Sequence, residues 1–228
     1  MSDVDYCVVG AGFAGLSAAL RLKQAGRSVA LLEARDRVGG RTFTQVLDDG
    51  TWIDRGGAWF GPTQDRIKAL MDEYGVGSYK QYHDGQAMMV VDGKQSRYKG
   101  TIPLTMSPWV VANLGAVFLE LTAMCKAIPL DAPWTAKNAK KWDQISLAKW
   151  LSNNTLGKAA HDLLDTALAG LYTSAASETS MLWALYQIAS GGGPNFVLGI
   201  KDGSQDARVI GGMGAISTPM AAEIGDSL

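Results

Sequence analysis

The sequence predicts an α/β chain in which a parallel-sheet domain is interrupted by a mainly helical α+β insertion. Three observations carry this. Residues 5–32 read as strand, glycine turn, helix and strand; the pattern changes after residue 80 to short alternating strands and then to helical periodicity; and a second glycine-rich run at 208–214 leads into a last helix.

Residues 5–9, DYCVV, form a short β-rich run that suits a buried parallel strand. Gly10, Gly12 and Gly15 then write a GxGxxG turn, whose glycines allow a tight bend, close backbone approach to a pyrophosphate, and close helix-to-strand packing. Residues 13–24 are helical in character, so the amides of Phe13, Ala14 and Gly15 and the positive helix end would face phosphate. Gly26 closes that helix, and residues 28–32 make a second strand ending at Glu33. An acidic side chain at this spacing accepts hydrogen bonds from an adenosine ribose. The first 33 residues therefore read as a Rossmann-like dinucleotide site.

Directly afterwards comes ARDRVGGRT, residues 34–42. Its paired glycines bring the backbone close to a ligand, and Arg41 offers a planar fork of donors to a diphosphate. Arg35 and Arg37 each have two open readings, as solvated surface arginines or as ligand contacts. At these residues the chain resembles the flavin-containing amine oxidase family, of the monoamine oxidase and putrescine oxidase type. The ribose glutamate followed by RxGGR implies FAD in place of NAD. The resemblance implies a cofactor set of Gly10, Gly12, Phe13, Ala14, Gly15, Glu33, Ala34, Arg35, Gly40, Arg41 and Thr42.

Residues 43–54 are strand-like with a turn at 48–50, and DRGGAWFGPTQ follows at 54–64. Glycine pairs before aromatics suit a backbone passing close to a flat ring system. This stretch looks like the monoamine oxidase version of the segment that runs along the flavin, which adds Gly57, Ala58 and Trp59 to the expected cofactor contacts. Thr63 is expected to cap a helix running to Tyr74, with Gly75 ending it.

From residue 80 short strands at 87–91 and 95–98 turn at Asp92-Gly93, and helices are expected at 108–126, 147–151, 158–171 and 178–189. PLDAPW at 129–134 and the Trp142-Asp143 pair extend the resemblance, with loop packing by Trp134 and Trp142 as the preferred role. Gly191, Gly192 and Gly193 break the last of these helices, and residues 195–200 are expected to be extended. The RVIGGMG run precedes a helix at about 216–224. The expected organisation is residues 1–79 as the first part of an FAD-binding domain, 80–206 as part of a substrate domain, and 207–228 as the return.

With 228 residues and 47% of them hydrophobic, the chain can bury a substantial core. A net charge of −1 argues against a nucleic-acid surface or an anionic-membrane patch. Cys7 and Cys125 lack a metal or CxxC spacing and are expected as reduced core residues. No metal site is expected, and His83 and His161 are expected to be structural or surface residues. The acidic start at Asp3 and Asp5 leaves no room for a secretory leader, so a cytoplasmic protein is expected. The apolar stretch 109–127 contains Asn113, Glu120 and Lys126 and is closed by Pro129, so it is expected as a buried or amphipathic helix and not as a membrane span.

The resemblance implies oxidation of a primary or secondary amine to an imine, with electrons passing through the flavin to O2 and peroxide as product. It places no catalytic residue in this segment. It implies substrate contacts at Trp59, Leu171, Tyr172, Leu198 and Gln205, although Leu171 and Leu198 read equally well as core. Such a cavity is apolar and suits a hydrophobic monoamine. Phe60 stands where amino acid oxidases carry a carboxylate-binding arginine, which argues against amino acid substrates; putrescine or polyamine oxidation stays open. Family members continue beyond the point matching Leu228. The sequence is therefore expected to be an N-terminal half, working as a homodimer, with a complementary C-terminal chain, or as an inactive, partner-dependent flavin-binding piece.

Overall fold

In the computed structural model, which describes residues 3–91, 93–100 and 103–227, β1 (Tyr6–Val9) pairs in parallel with β2 (Val29–Leu32), Cys7 opposite Ala30. The intervening α1 (Phe13–Gln24) starts at Gly12 and ends at Ala25, with Gly26 in the left-handed region at φ 72°. Its apolar stripe, Leu16, Ala19 and Leu20, is buried, as expected of a crossover helix lying on a parallel pair. β3 (Thr44–Val46) and β4 (Trp52–Asp54) form a hairpin turned at Gly50, φ 83°. Then follow β5 (Trp59–Phe60), α2 (Asp65–Glu73) and β6 (Ser78–Lys80).

The next stretch builds a different unit. β7 (Ala87–Val91) and β8 (Lys94–Tyr98) form an antiparallel hairpin, and α3 (Pro108–Lys126), α4 (Ala139–Asp143), α5 (Leu147–Asn154), α6 (Lys158–Tyr172), α7 (Met181–Ser190) and α8 (Pro194–Val197) follow. Ser146 and Ser180 cap α5 and α7 by accepting the Lys149 and Trp183 amides. The chain returns through β9 (Ala207–Val209), which lies between β5 and β6 in a three-stranded antiparallel sheet, and ends in α9 (Gly214–Ile224).

Two compact units result, Met1–Gln81 with Ala207–Leu228, and Tyr82–Asp206. The first has a core of α1, β2 and α9, in which Leu16, Leu31, Ile216, Met220 and Ile224 are buried. The core of the second joins α3, α5, α6 and α7 through Leu121, Leu147, Leu151, Leu164, Met181 and Leu185.

Four expectations are corrected. Cys7 is exposed, because β1 pairs on one edge with β2 and its residues are covered only in part; Val9 is 82% exposed. Cys125, by contrast, is buried as expected and directs its thiol toward the Leu185 carbonyl. Residues 194–197 are helical, not extended: Gly193 at φ 103° supplies the turn and Pro194 is preset for a first helical position. Thr63 does not cap α2; Gln64 holds the cap position and its side chain instead accepts the Gly61 amide at 2.7 Å. Trp142 packs in the core, whereas Trp134 is 70% exposed on a 3-10 turn.

Among the described residues, α3 is long and apolar enough to cross a membrane by length and composition alone. One face of it, with Leu114, Val117, Leu121 and Cys125, is packed into the helical core. Trp109 and Leu119 are exposed.

Candidate cofactor site

The glycine turn after β1 is held closed by backbone contacts. Gly10 sits at φ 96° and donates to the Leu32 carbonyl at 2.6 Å. A Cβ on Gly15 would lie 1.8 Å from the Gly10 oxygen, so α1 can approach the strand only if that position is glycine. Gly12 is different, since its Cβ would meet Gly40 Cα at an ordinary 3.7 Å. No side chain caps the start of α1, which leaves the first-turn amides at Phe13 and Ala14 available to an anion.

Glu33 ends β2 and joins this turn to the loop beyond it. Its Oε2 accepts the Ala11 amide at 2.7 Å and its Oε1 accepts the Arg35 amide at 3.0 Å. These bonds, the Ala11 amide first, hold the carboxyl below the usual glutamate range, so it stays ionised and an acceptor at neutral pH. Each oxygen keeps a lone pair for a ribose hydroxyl.

The loop at 34–42 is ordered by Arg37. Its guanidinium donates to the carbonyls of Val38, Gly40 and Thr42 and lies over the Phe43 ring at 4.5 Å. Arg37 is thereby committed to the loop. Arg35 and Arg41 are exposed, and neither side chain has a hydrogen bond or ion pair among the described residues. The same loop meets the glycine pair at 56–57: Gly57 donates to the Arg41 carbonyl at 3.1 Å, and a Cβ on Gly56 would lie 2.3 Å from that oxygen. Ala58 is buried, and Trp59, half exposed on β5, donates its indole N–H to Gln81 at 2.8 Å.

Two clefts open on this unit. One, of about 590 Å³, is lined by Glu33, Arg35, Thr42, Phe43, Ser217 and Thr218, among others. The other, of about 820 Å³, is lined by Phe13, Ala14, Ser17 and residues of α2. Their size suits a nucleotide-sized ligand. The uncapped helix start, the ionised glutamate and the glycine-only approaches fit an adenine dinucleotide such as FAD. The α9 residues escaped the sequence reading: Ser217 stands far along the chain from Glu33, in a run with no ligand motif.

In the second unit, Leu198 lines a cavity of about 210 Å³ with Tyr98, Leu114, Phe118, Leu163 and Leu164, all of them apolar or aromatic. Leu171 and Tyr172 pack against the helical core, and the Tyr172 hydroxyl donates to the Ala184 carbonyl at 2.9 Å. Burial raises its pKa above the usual tyrosine value. Gln205 sits in a tight turn where its amide donates to Gly199 O and where a Cβ on Gly203 would lie 2.3 Å from the same oxygen. Among the described residues no group of His, Cys, Asp or Glu is placed to hold a metal.

Residues 13–228 match the family described as flavin containing amine oxidoreductase. The chain is 35% identical over 222 residues to a flavin-containing amine oxidase of Oncorhynchus mykiss, covering 97% of this chain and 42% of that protein. Among solved structures it is similar to wild-type putrescine oxidase bound to putrescine, at 34% identity and a TM-score of 0.89 over 98% of this chain and 50% of that one. Cyclohexylamine oxidase from Brevibacterium oxydans IH-35A aligns with the same TM-score of 0.89 and coverage at 29% identity. The chain thus spans about half the length of the relatives it matches. With a family match over nearly its whole length, the chain belongs to the flavin-containing amine oxidoreductases.

Proposed function

We propose that the protein is an FAD-dependent amine oxidase and that its first unit carries the cofactor. The observation that carries this reading is Glu33, fixed as an ionised acceptor by the Ala11 and Arg35 amides beside an uncapped helix start. In this reading Glu33 accepts the ribose hydroxyls, the amides at Phe13 and Ala14 with Arg41 hold the diphosphate, and Gly57, Ala58 and Trp59 lie along the flavin. FAD, when bound, supplies the two-electron acceptor for oxidation of an amine to an imine, with O2 reduced to peroxide.

The chain's own part is to bind and orient. The cavity at Leu198 would take the apolar portion of the substrate and exclude water from it, and among the described residues that line it there is no carboxylate to pair with a second ammonium group. That favours a hydrophobic monoamine over putrescine or a polyamine. The two cysteines remain thiols, which suits a cytoplasmic setting.

A second reading, a flavin-binding piece that needs a partner chain, is favoured by β1 and β2, where Val9 is 82% and Leu32 55% exposed. The test is the visible spectrum of the purified chain before and after anaerobic addition of benzylamine or putrescine. A flavin band bleached faster by benzylamine supports the oxidase reading. A band that neither amine bleaches supports the partner-dependent one, and no band at all overturns both.

A further inference from the structure

Arg208 holds a buried donor, its Nε, that has no acceptor among the described residues. An arginine kept on such terms calls for an explanation. Hydrogen bonding does not supply one, since a single nitrogen of the group reaches Asp54 Oδ2 at a long 3.5 Å.

Its surroundings are aromatic. Arg208 on β9 stands opposite Trp59 on β5 and opposite Tyr79 on β6, so the three side chains share one face of that sheet. The guanidinium carbon lies 5.8 Å from the centre of the Trp59 ring and 5.7 Å from that of Trp52, and Trp52 meets Tyr79 edge-on with centroids 6.0 Å apart. A planar cation, more weakly hydrated than an ammonium, suits a place against two indole faces.

Trp59 is the member of this group that needs holding. It sits on a two-residue strand, is 46% exposed, and is hydrogen-bonded through its indole N–H to Gln81. A bond at one edge leaves the ring free to swing about it. A cation over the ring restrains that swing, and this cation is anchored to Asp54, itself bonded to Thr44 and the Met213 amide.

We infer that Arg208 is a positioning residue for amine oxidation, acting through Trp59 to fix the aromatic wall beside the flavin against which the amine is oriented. This rests on the reading above, in which Trp59 lies along the flavin.

The experiment measures the emission of FAD bound to the full 228-residue chain and hydrogen exchange of the Trp59 indole N–H, for wild type, Trp59→Phe, Arg208→Met and Arg208→Lys. An indole lying against an excited flavin quenches it, so Trp59→Phe should brighten the bound FAD. Arg208→Met should hold as much FAD as wild type, brighten it part of the way, and brighten it no further when combined with Trp59→Phe. It should speed Trp59 indole exchange about two- to five-fold, as for loss of one exposed cation–π contact. Arg208→Lys keeps a cation beside Asp54 and guards the fold, but lacks the planar group, so it should shift both readouts in the same direction by less. Wild-type emission and exchange in a folded Arg208 variant, with Trp59→Phe bright, overturns the inference and leaves the FAD reading standing. A further rise in the double variant, or FAD lost from a folded Arg208 variant, would mean that Arg208 does not act through Trp59, and overturns it too. Unchanged emission in Trp59→Phe removes Trp59 from the flavin and the inference with it, and wild-type protein that binds no FAD overturns both readings.

Discussion

Thr44 Oγ1 donates to Asp54 Oδ1 at 2.6 Å, and between them these two side chains cap the start of α9. Thr44 accepts the Gly214 amide at 2.8 Å, Asp54 accepts the Met213 amide at 3.1 Å, and Arg208 reaches the second Asp54 oxygen at 3.5 Å. The hairpin of β3 and β4 is thereby tied to the returning segment. Asp54 has no exposed side-chain surface, so these donors are the partners its carboxylate has in place of water. Replacing Thr44 by Val should cost about 1 to 3 kcal/mol in urea unfolding, because the Gly214 amide and Asp54 both lose a partner. Thr44→Ser, which keeps the hydroxyl, should recover most of that loss. Equal stability of the Val variant and wild type would show that the cap contributes nothing.

The second and third glycines of the turn are predicted to fail in different ways. Gly12→Ala should fold, since its backbone at φ −78° accepts alanine and the nearest contact is 3.7 Å, but the methyl group should obstruct the cofactor and strip the flavin. Gly15→Ala places a methyl 1.8 Å from the Gly10 oxygen and should lower the thermal midpoint of the unit itself. Flavin content and circular dichroism melting, measured on both variants, separate these outcomes.

Glu33 predicts a definite pH dependence. Its pKa lies below the usual 4.5, so the stability from its bonds to Ala11 and Arg35 is present above that value and lost as pH falls through the lower folded value. The difference in melting temperature between wild type and Glu33→Gln should be constant from neutral pH down toward 4.5 and vanish in stronger acid. A difference that instead grew on acidification would contradict the bonding described here. Flavin affinity of Glu33→Gln should fall by about ten-fold or more, as for the loss of charge-assisted hydrogen bonds.

The thiols should differ in reactivity. Cys7 is exposed, while burial pushes the Cys125 thiol up to about 11. A disulfide reagent at neutral pH should titrate one thiol quickly in native protein and both after denaturation. Because the Cys125 pKa is raised, its contribution to stability is complete below 9 and is lost as pH rises toward 11. Two equally fast thiols in the native chain would refute the buried placement of Cys125.

Much of the local structure could be read directly. A helix beginning at Gly12 and stopping at Gly26, a strand ending at Glu33, and a hairpin at residues 87–98 are each specified by spacing and turn chemistry within a few residues. Short runs were harder: residues 194–197 carry too few positions to show a period, and the strand-like composition of 5–9 could not reveal how little of β1 would be covered.

The sequence by itself determined the family, the flavin cofactor and the glutamate that precedes the RxGGR loop, because glycine turns and acid spacing act within one βαβ unit. Tertiary structure alone decided that Arg37 serves its loop while Arg35 stays open, that Thr44 and Asp54 cap a helix some 160 to 170 residues away, and that Ser217 lines the cleft that holds Glu33. The physical reason is range: a helix or turn follows from neighbours a few residues apart, whereas a donor and an acceptor so distant in the chain meet only after the cores of α1, β2 and α9 have packed.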